Sequence, residues 1–279
     1  MEEQRQKEEL EAYRQEHGTI PEIAGRYDSY VVHGISWVPG GTNNQILAKS
    51  ADWQDKLMVV VAEQPPLSGS FIKAGSGPQT GLWADIGVIM QSGIIAEAHE
   101  GDKASEVVDK KKKHTFSTPR NIGQYQQGIE RAVARGNVGF FGHNEVILEF
   151  GSKPGAFYIH LDRSSDHDKT GMMRSLEEVR YKNKTPRDTY YHEGVQYPDY
   201  DNGIEYQDIY EIAKFVGLPV VVIKDGIVYE SSFSQTEGLT VGRELSPQDI
   251  TSLKSEIPSE NLLEIQRRTS SVLKTLAVV

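Results

Sequence analysis

Between Phe140 and Phe150 the chain reads FFGHNEVILEF, a glycine and aromatic turn that runs directly into an apolar strand. Alternation puts His143, Glu145, Ile147 and Glu149 on one face and Asn144, Val146, Leu148 and Phe150 on the other, which reads as core. Glu145 thus stands at the mouth of a strand, where a cleft residue is mounted. A carboxylate fixed there can oppose the positive charge that develops on a sugar carbon as a glycosidic bond breaks. Glu149 shares the face but lies about 13 Å along the strand, too far for a carboxylate pair. Two other stretches offer partners. VVHGIS ends an apolar run with His33-Gly34, an imidazole for ligand hydroxyls and a glycine that admits a ligand close to the backbone. PLSGSFI opens another run with Ser68-Gly69-Ser70, and the Ser70 hydroxyl is placed to hold the glutamate by a hydrogen bond. Each group has a plainer alternative: an exposed strand acid for Glu145, a core histidine for His33, and ordinary turn chemistry for the serines after Gln64-Pro65-Pro66.

The elements that must position these residues are legible as strand and helix patterns. RYDSYVVHGISW reads as the first strand, followed by the turn VPGGTNN and a short helix over residues 46–53. KLMVVVAE (56–63) is the second strand and SGSFIKA the third. DIGVIMQSGIIAEA reads as a hairpin turning at Ser92-Gly93. NIGQYQQGIERAVARG is a helix with Ile129, Ala132 and Val133 inward and Gly136 as its stop. GAFYIHLD is a strand expected to pair with NEVILEF through the turn GSKPG. The second half opens on a long polar passage (163–203), then gives the helix IEYQDIYEIAKFVG and the hairpin LPVVVIKDGIVYES, turning at Asp225-Gly226. A last amphipathic helix is expected over 259–276. The order of elements implies an α+β fold, with no internal repeat.

Three of these stretches, in this order, resemble the mono-ADP-ribosyltransferase toxins and effectors of bacteria. In that family a first strand carries arginine or histidine before glycine, a later strand carries Ser-Thr-Ser, and an aromatic-x-x-(Gln/Glu)-x-Glu turn ends in the catalytic glutamate before a VLL-type strand. Here His33-Gly34, Ser68-Gly69-Ser70 and Phe140-Phe141-Gly142-His143-Asn144-Glu145, followed by Val146-Ile147-Leu148, hold those positions. Histidine at the first position belongs to the diphtheria-like branch, whereas the serine motif and the paired turn belong to the arginine-containing branch. His143 stands where the family usually has the Gln or Glu that helps recognise the acceptor. The resemblance covers roughly residues 28–160 and implies a split β-sheet core with flanking helices, followed by an additional C-terminal α/β segment.

On this resemblance Glu145, His143 and Ser70 are the catalytic candidates. NAD, the substrate, would be bound by His33, Gly34 and Ser68, with Phe71, Trp83 or Phe140 stacking on nicotinamide or the acceptor. The implied organisation is a charged leader helix (1–17), a catalytic core (18–162) and an extension (163–279) for recognising a protein target. The implied setting is a bacterial effector made in the cytoplasm and exported without a cleaved signal peptide, since MEEQRQKEELEAYRQEH is too acidic for one. Two further readings stand beside the transferase: an interaction module on the same fold without turnover, and a metal-dependent hydrolase.

Composition narrows the field further. The absence of cysteine excludes disulfides, thiolate nucleophiles and Cys-ligated zinc. Forty acids against thirty bases give a net charge of -10, which disfavours nucleic acid as a partner; Lys110 to Lys113 reads as a solvated run. No apolar run approaches the length of a membrane span. Glycines 75, 77 and 81 are spaced one residue too long for the dinucleotide fingerprint and read as a loop. The cluster His160, Asp162, Asp166, His167 and Asp168 matches neither a calcium loop nor a zinc helix, so no metal site is assigned. The tyrosines of TYYHEGVQYPDYDNG suit a partner-binding surface or an irregular connection packed on itself.

Overall fold

In the computed structural model the described residues are 2–34, 67–78, 86–101, 118–135, 144–149, 151–161, 187–192, 195–199, 206–234, 236–254, 258–265 and 267. They form a mixed α+β fold around one nine-stranded sheet. Its strands are β1 (Ser29–Gly34), β2 (Leu67–Lys73), β3 (Ile86–Ser92), β4 (Ile95–His99), β5 (Glu145–Leu148), β6 (Lys153–His160), β9 (Val220–Lys224), β10 (Ile227–Ser234) and β11 (Gly238–Leu245). They lie in the order β11-β10-β9-β6-β3-β1-β2-β5-β4, and a separate two-stranded ribbon pairs β7 (Arg187–His192) with β8 (Val195–Asp199). All pairs in the large sheet are antiparallel except β6 with β9, so β9 to β11 of the second half extend the sheet of the first.

The helices are α1 (Glu2–His17), α2 (Ile20–Tyr27), α3 (Ile122–Ala134), α4 (Tyr206–Val216) and the short α5 (Pro247–Thr251). Local chemistry sets their ends. The Thr19 side chain accepts from the Glu22 N–H at the start of α2, the Asn121 side chain does the same for Gln124 in α3, and Ser246 with Asp249 makes a reciprocal capping box on α5. Val31, Phe71, Val88, Val146 and Phe157 from the sheet pack with Leu10, Ile23, Ile129 and Ile212 of α1 to α4 in one buried cluster. Tyr30, Val32, Ile72, Ile89 and Tyr158 form a second cluster with Ile250 of α5. Strand alternation generates both, because neighbouring residues of β1, β2 and β3 enter opposite clusters.

Two expected hairpins are absent. The β3 strand pairs with β1 and β6, and β4 pairs with β5, so Ser92-Gly93 is a crossover between distant strands. The chain there is held instead by the start of α2: Thr19 bridges Ile94, and the Ile20 N–H donates to the Gly93 carbonyl. Likewise β6 does not pair with β5, which lies between β2 and β4. Short spacing and a turn signal suggest adjacency, but each of these strands takes its partners elsewhere in the sheet. The Asp225-Gly226 hairpin is present, with φ of 53° and 72° at its two turn residues. The leader is helical, and its Leu10 is buried in the core beside Tyr13. The last helix begins after a turn at Ser259–Asn261. The helix over 46–53, the strand 56–63, the turn 38–44, Gly136, Phe150, Lys110 to Lys113 and residues 268–276 lie outside the described residues.

Candidate active site

β5 is the centre of the site. Asn144, Val146 and Leu148 are fully buried on the helix side, while Glu145, 9% exposed, faces the other side of the sheet. On β2, alternation from Ile72 puts Ser70 and Ser68 on the same side as Glu145. The Ser68 hydroxyl donates to Glu145 Oε1 at 2.8 Å, joining residues 77 positions apart in the chain. Ser70, expected to hold the glutamate, donates instead to the Asn144 carbonyl at 3.0 Å. The serine that orients the carboxylate is thus Ser68, expected among the NAD-binding residues, while Ser70 fixes the backbone beneath it.

His33 enters from the opposite side. β1 and β2 are paired from Ser29–Lys73 to Val32–Ser70. Just beyond, His33 Nδ1 lies 2.6 Å from the Ser68 carbonyl oxygen. A carbonyl only accepts, so Nδ1 carries the proton and Nε2 is left as an acceptor. Alternation puts His33 on the Val31 side of β1 and Gly34 on the Val32 side, which is the side of Glu145. His33 is thus joined to the glutamate through the backbone and side chain of Ser68 rather than across a shared cleft.

Burial pushes the His33 imidazole below its ordinary 6.5, and the bond to Ser68 offsets this in part. A neutral ring in the fold and a protonated ring in the unfolded chain make the His33 contribution complete above 6.5 and progressively lost as the pH falls through the folded value. The melting temperature is expected to drop on acidification below neutrality, and His33→Asn to flatten that drop. An unchanged pH slope in the variant would assign the effect to another group.

Gly34 pairs with Gly87, and a Cβ on Gly87 would fall 2.2 Å from the His33 carbonyl and 2.5 Å from Tyr158 Cε1. The bare backbone at Gly87 is what lets the Tyr158 ring lie across β3. Phe71 is wholly buried in the helix-side cluster, so its ring has no face to offer a ligand; a strand alternation that sends Ser70 to the site must send Phe71 to the core. Trp83, Phe140 and His143 lie outside the described residues.

Alternation assigns Asn144 only a core-facing position, and its role is larger. Its Oδ1 accepts from the Phe71 N–H at 2.6 Å and its Nδ2 donates to the Phe71 carbonyl at 3.0 Å. The amide continues the β2–β5 ladder by one more pair, directly before Glu145. Glu149 departs from the expected face: β5 ends at Leu148, and burial together with Glu11 of α1 raises the Glu149 pKa, with Arg14 opposing. The loop glycines Gly75 and Gly77 donate their N–H groups to Gly226 and Asp225, which occupies the donors that a phosphate would need. Of the acidic cluster, His160 is buried at the end of β6 and the acids from Asp162 onward lie outside the described residues. Among the described residues no three His, Asp or Glu side chains are grouped to hold a metal, and no helix is long and apolar enough to cross a membrane. No protein-family model, curated protein or solved structure matches the chain.

Proposed function

We propose that the chain is an NAD-dependent mono-ADP-ribosyltransferase with Glu145 as its catalytic carboxylate. The observation that carries this reading is the Ser68–Glu145 hydrogen bond, with His33 tied to the carbonyl of the same serine. Three motifs from distant parts of the sequence meet on adjacent strands β1, β2 and β5. In the proposed reaction the bond between nicotinamide and the ribose carbon breaks, and its electron pair leaves with nicotinamide. The ribose carbon becomes oxocarbenium-like, Glu145 opposes that charge, and an acceptor side chain attacks the carbon and gives up its proton. Gly34 leaves the backbone beside Ser68 open to close approach by the dinucleotide. The split-sheet core of this family belongs to the same proposal, as does the setting of a bacterial effector exported to act on a protein of another cell. The β7–β8 ribbon pairs Tyr190 with Tyr197 and stands in the segment proposed to recognise that protein.

The test is release of nicotinamide from NAD by the purified chain, together with mass spectrometry of a host lysate incubated with protein and NAD. Release, and a mass gain of one ADP-ribose on a lysate protein, are the expected results. A chain that neither releases nicotinamide nor binds NAD by calorimetry would overturn the reading and leave the interaction module in its place.

A further inference from the structure

The helix α1 meets the rest of the fold along one narrow stripe. Leu10 is its one buried residue, Gln6, Tyr13, Arg14 and His17 are half-buried at helical spacing on the same side, and the remainder of 2–17 is exposed. Most of the seat is polar or aromatic. The Tyr13 ring meets Tyr125 of α3 edge-on at 6.2 Å, the Tyr13 hydroxyl accepts from Gln126 Nε2 at 2.6 Å, and the Arg14 guanidinium lies over the Tyr125 ring at 5.4 Å. The foot of the helix is fixed more firmly than its shaft. The Gly18 carbonyl accepts from the Ile95 N–H at 2.9 Å, and a Cβ at Gly18 would fall 2.2 Å from the Tyr125 hydroxyl, so α1 pivots beside a point that the β3–β4 crossover and α3 hold in place.

Charge at the seat is not balanced. Glu149, just past the end of β5, is half-buried and interacts with both Glu11 and Arg14 of α1. Arg14 also pairs with Glu11 at 3.6 Å, and its Nε is buried without a hydrogen-bond partner. One cation thus serves two carboxylates. Burial, and after it the charge of Glu11, raises the Glu149 carboxyl above its ordinary 4.5, with Arg14 opposing. The other titratable groups at the seat are Tyr13 and His17 of α1, Arg26 and Tyr27 of α2, and Tyr125 of α3. Burial pushes the Tyr125 phenol up, so it stays neutral, and an arginine stays charged. We propose that α1 is a pH-gated latch on α3 and the end of β5, released from its seat by the charge of Glu149. The seated state holds the Glu149 proton more tightly than the released state, where the carboxyl meets water. Seating therefore takes up a proton: it is fully favoured below the ordinary 4.5 and is lost as the pH rises through the seated value. Release uncovers the Tyr125 face of α3 and the place of Leu10 in the core. The latch stands on α1 and its seat alone and does not depend on the transferase reading.

A helix of this length is marginal once it leaves its seat, so release opens its amides to exchange with solvent. The experiment is hydrogen exchange on the full chain at about pH 5 and about pH 8, read as protection factors so that intrinsic rates cancel. It compares residues 6–17 of α1, whose N–H groups are bonded within the helix, with α3. Protection of α1 is expected to fall severalfold between the lower and the higher pH while that of α3 holds. Glu149→Gln, uncharged at both, is expected to keep α1 protected at both. His17→Gln, which removes the imidazole stacked on Tyr13, is expected to retain the dependence of the parent chain. Equal protection of α1 at the two pH values overturns the proposal, as does a parallel loss in α1 and α3, which is global unfolding. A dependence that survives in Glu149→Gln or disappears in His17→Gln overturns it too, because the gating charge is then not that of Glu149.

Discussion

Glu145→Gln is expected to leave the protein folded and to lower nicotinamide release by about 10²- to 10³-fold, the order of loss when one preorganised electrostatic group is removed. Glutamine has the size of glutamate, and its carbonyl still accepts from Ser68, whose hydroxyl lies 2.8 Å from Oε1. What disappears is the negative charge facing the oxocarbenium-like carbon. The measurement is kcat for release, with circular dichroism as the control for folding. Retained turnover would remove Glu145 as the catalytic group. The serines grade the effect. Ser68→Ala frees the carboxylate on one side and lowers kcat less than Glu145→Gln, whereas Ser70→Ala weakens the hold on the Asn144 carbonyl and acts mainly on stability. Glu149→Gln should leave release unchanged, because that carboxyl interacts with α1 rather than with the Glu145 face.

Strand periodicity made the face of Glu145 legible, since Asn144, Val146 and Leu148 needed only alternation to be assigned to the core. The serine pair was legible as a pair, but not which serine reaches the acid. Direct opposition in the β2–β5 register brings Ser70 beside Glu145, yet the diagonal Ser68 makes the bond. Sequence alone carries no register between strands 77 residues apart. The place of β4 beside β5 escapes the sequence for a different reason. IIAEAHE reads as the return strand of a hairpin with β3, and nothing in that reading brings the strand to β5.

The fold was legible where local chemistry decides it. The α3 stripe and the Asp225-Gly226 turn are set by residues within a few positions of each other. β11 and α5 were not foreseen. GLTVGREL sets Leu239 and Val241 in alternation but follows them with Gly242-Arg243-Glu244, and most of it is exposed on a sheet edge; the five-residue α5 rests on the Ser246–Asp249 capping box rather than on a long periodic stripe. The two false hairpins share one cause: turn residues report a change of direction, and the identity of the partner strand depends on contacts far along the chain.

Asn144→Ala is expected to be the most destabilising of the single changes considered. Its side chain stands in for a strand residue, satisfying both the N–H and the carbonyl of Phe71 inside a core where Phe71 itself is fully buried. Alanine leaves both backbone groups without that amide, at about 1–3 kcal/mol each. A total near 3 kcal/mol lowers the melting temperature by roughly 6–12 °C in a chain of this size. Asn144→Asp separates hydrogen bonding from shape. The acid keeps an oxygen for the Phe71 N–H but turns a second oxygen toward the Phe71 carbonyl, so acceptor faces acceptor and a buried charge is added. Its loss at neutral pH should equal or exceed that of alanine, and part of it should return on acidification, as the protonated acid regains a donor. Thermal melts across pH measure both. Because the amide locks the residue next to Glu145, kcat should fall with stability in both variants, and an Asn144→Ala protein with native melting temperature would show that the β2–β5 ladder ends without it.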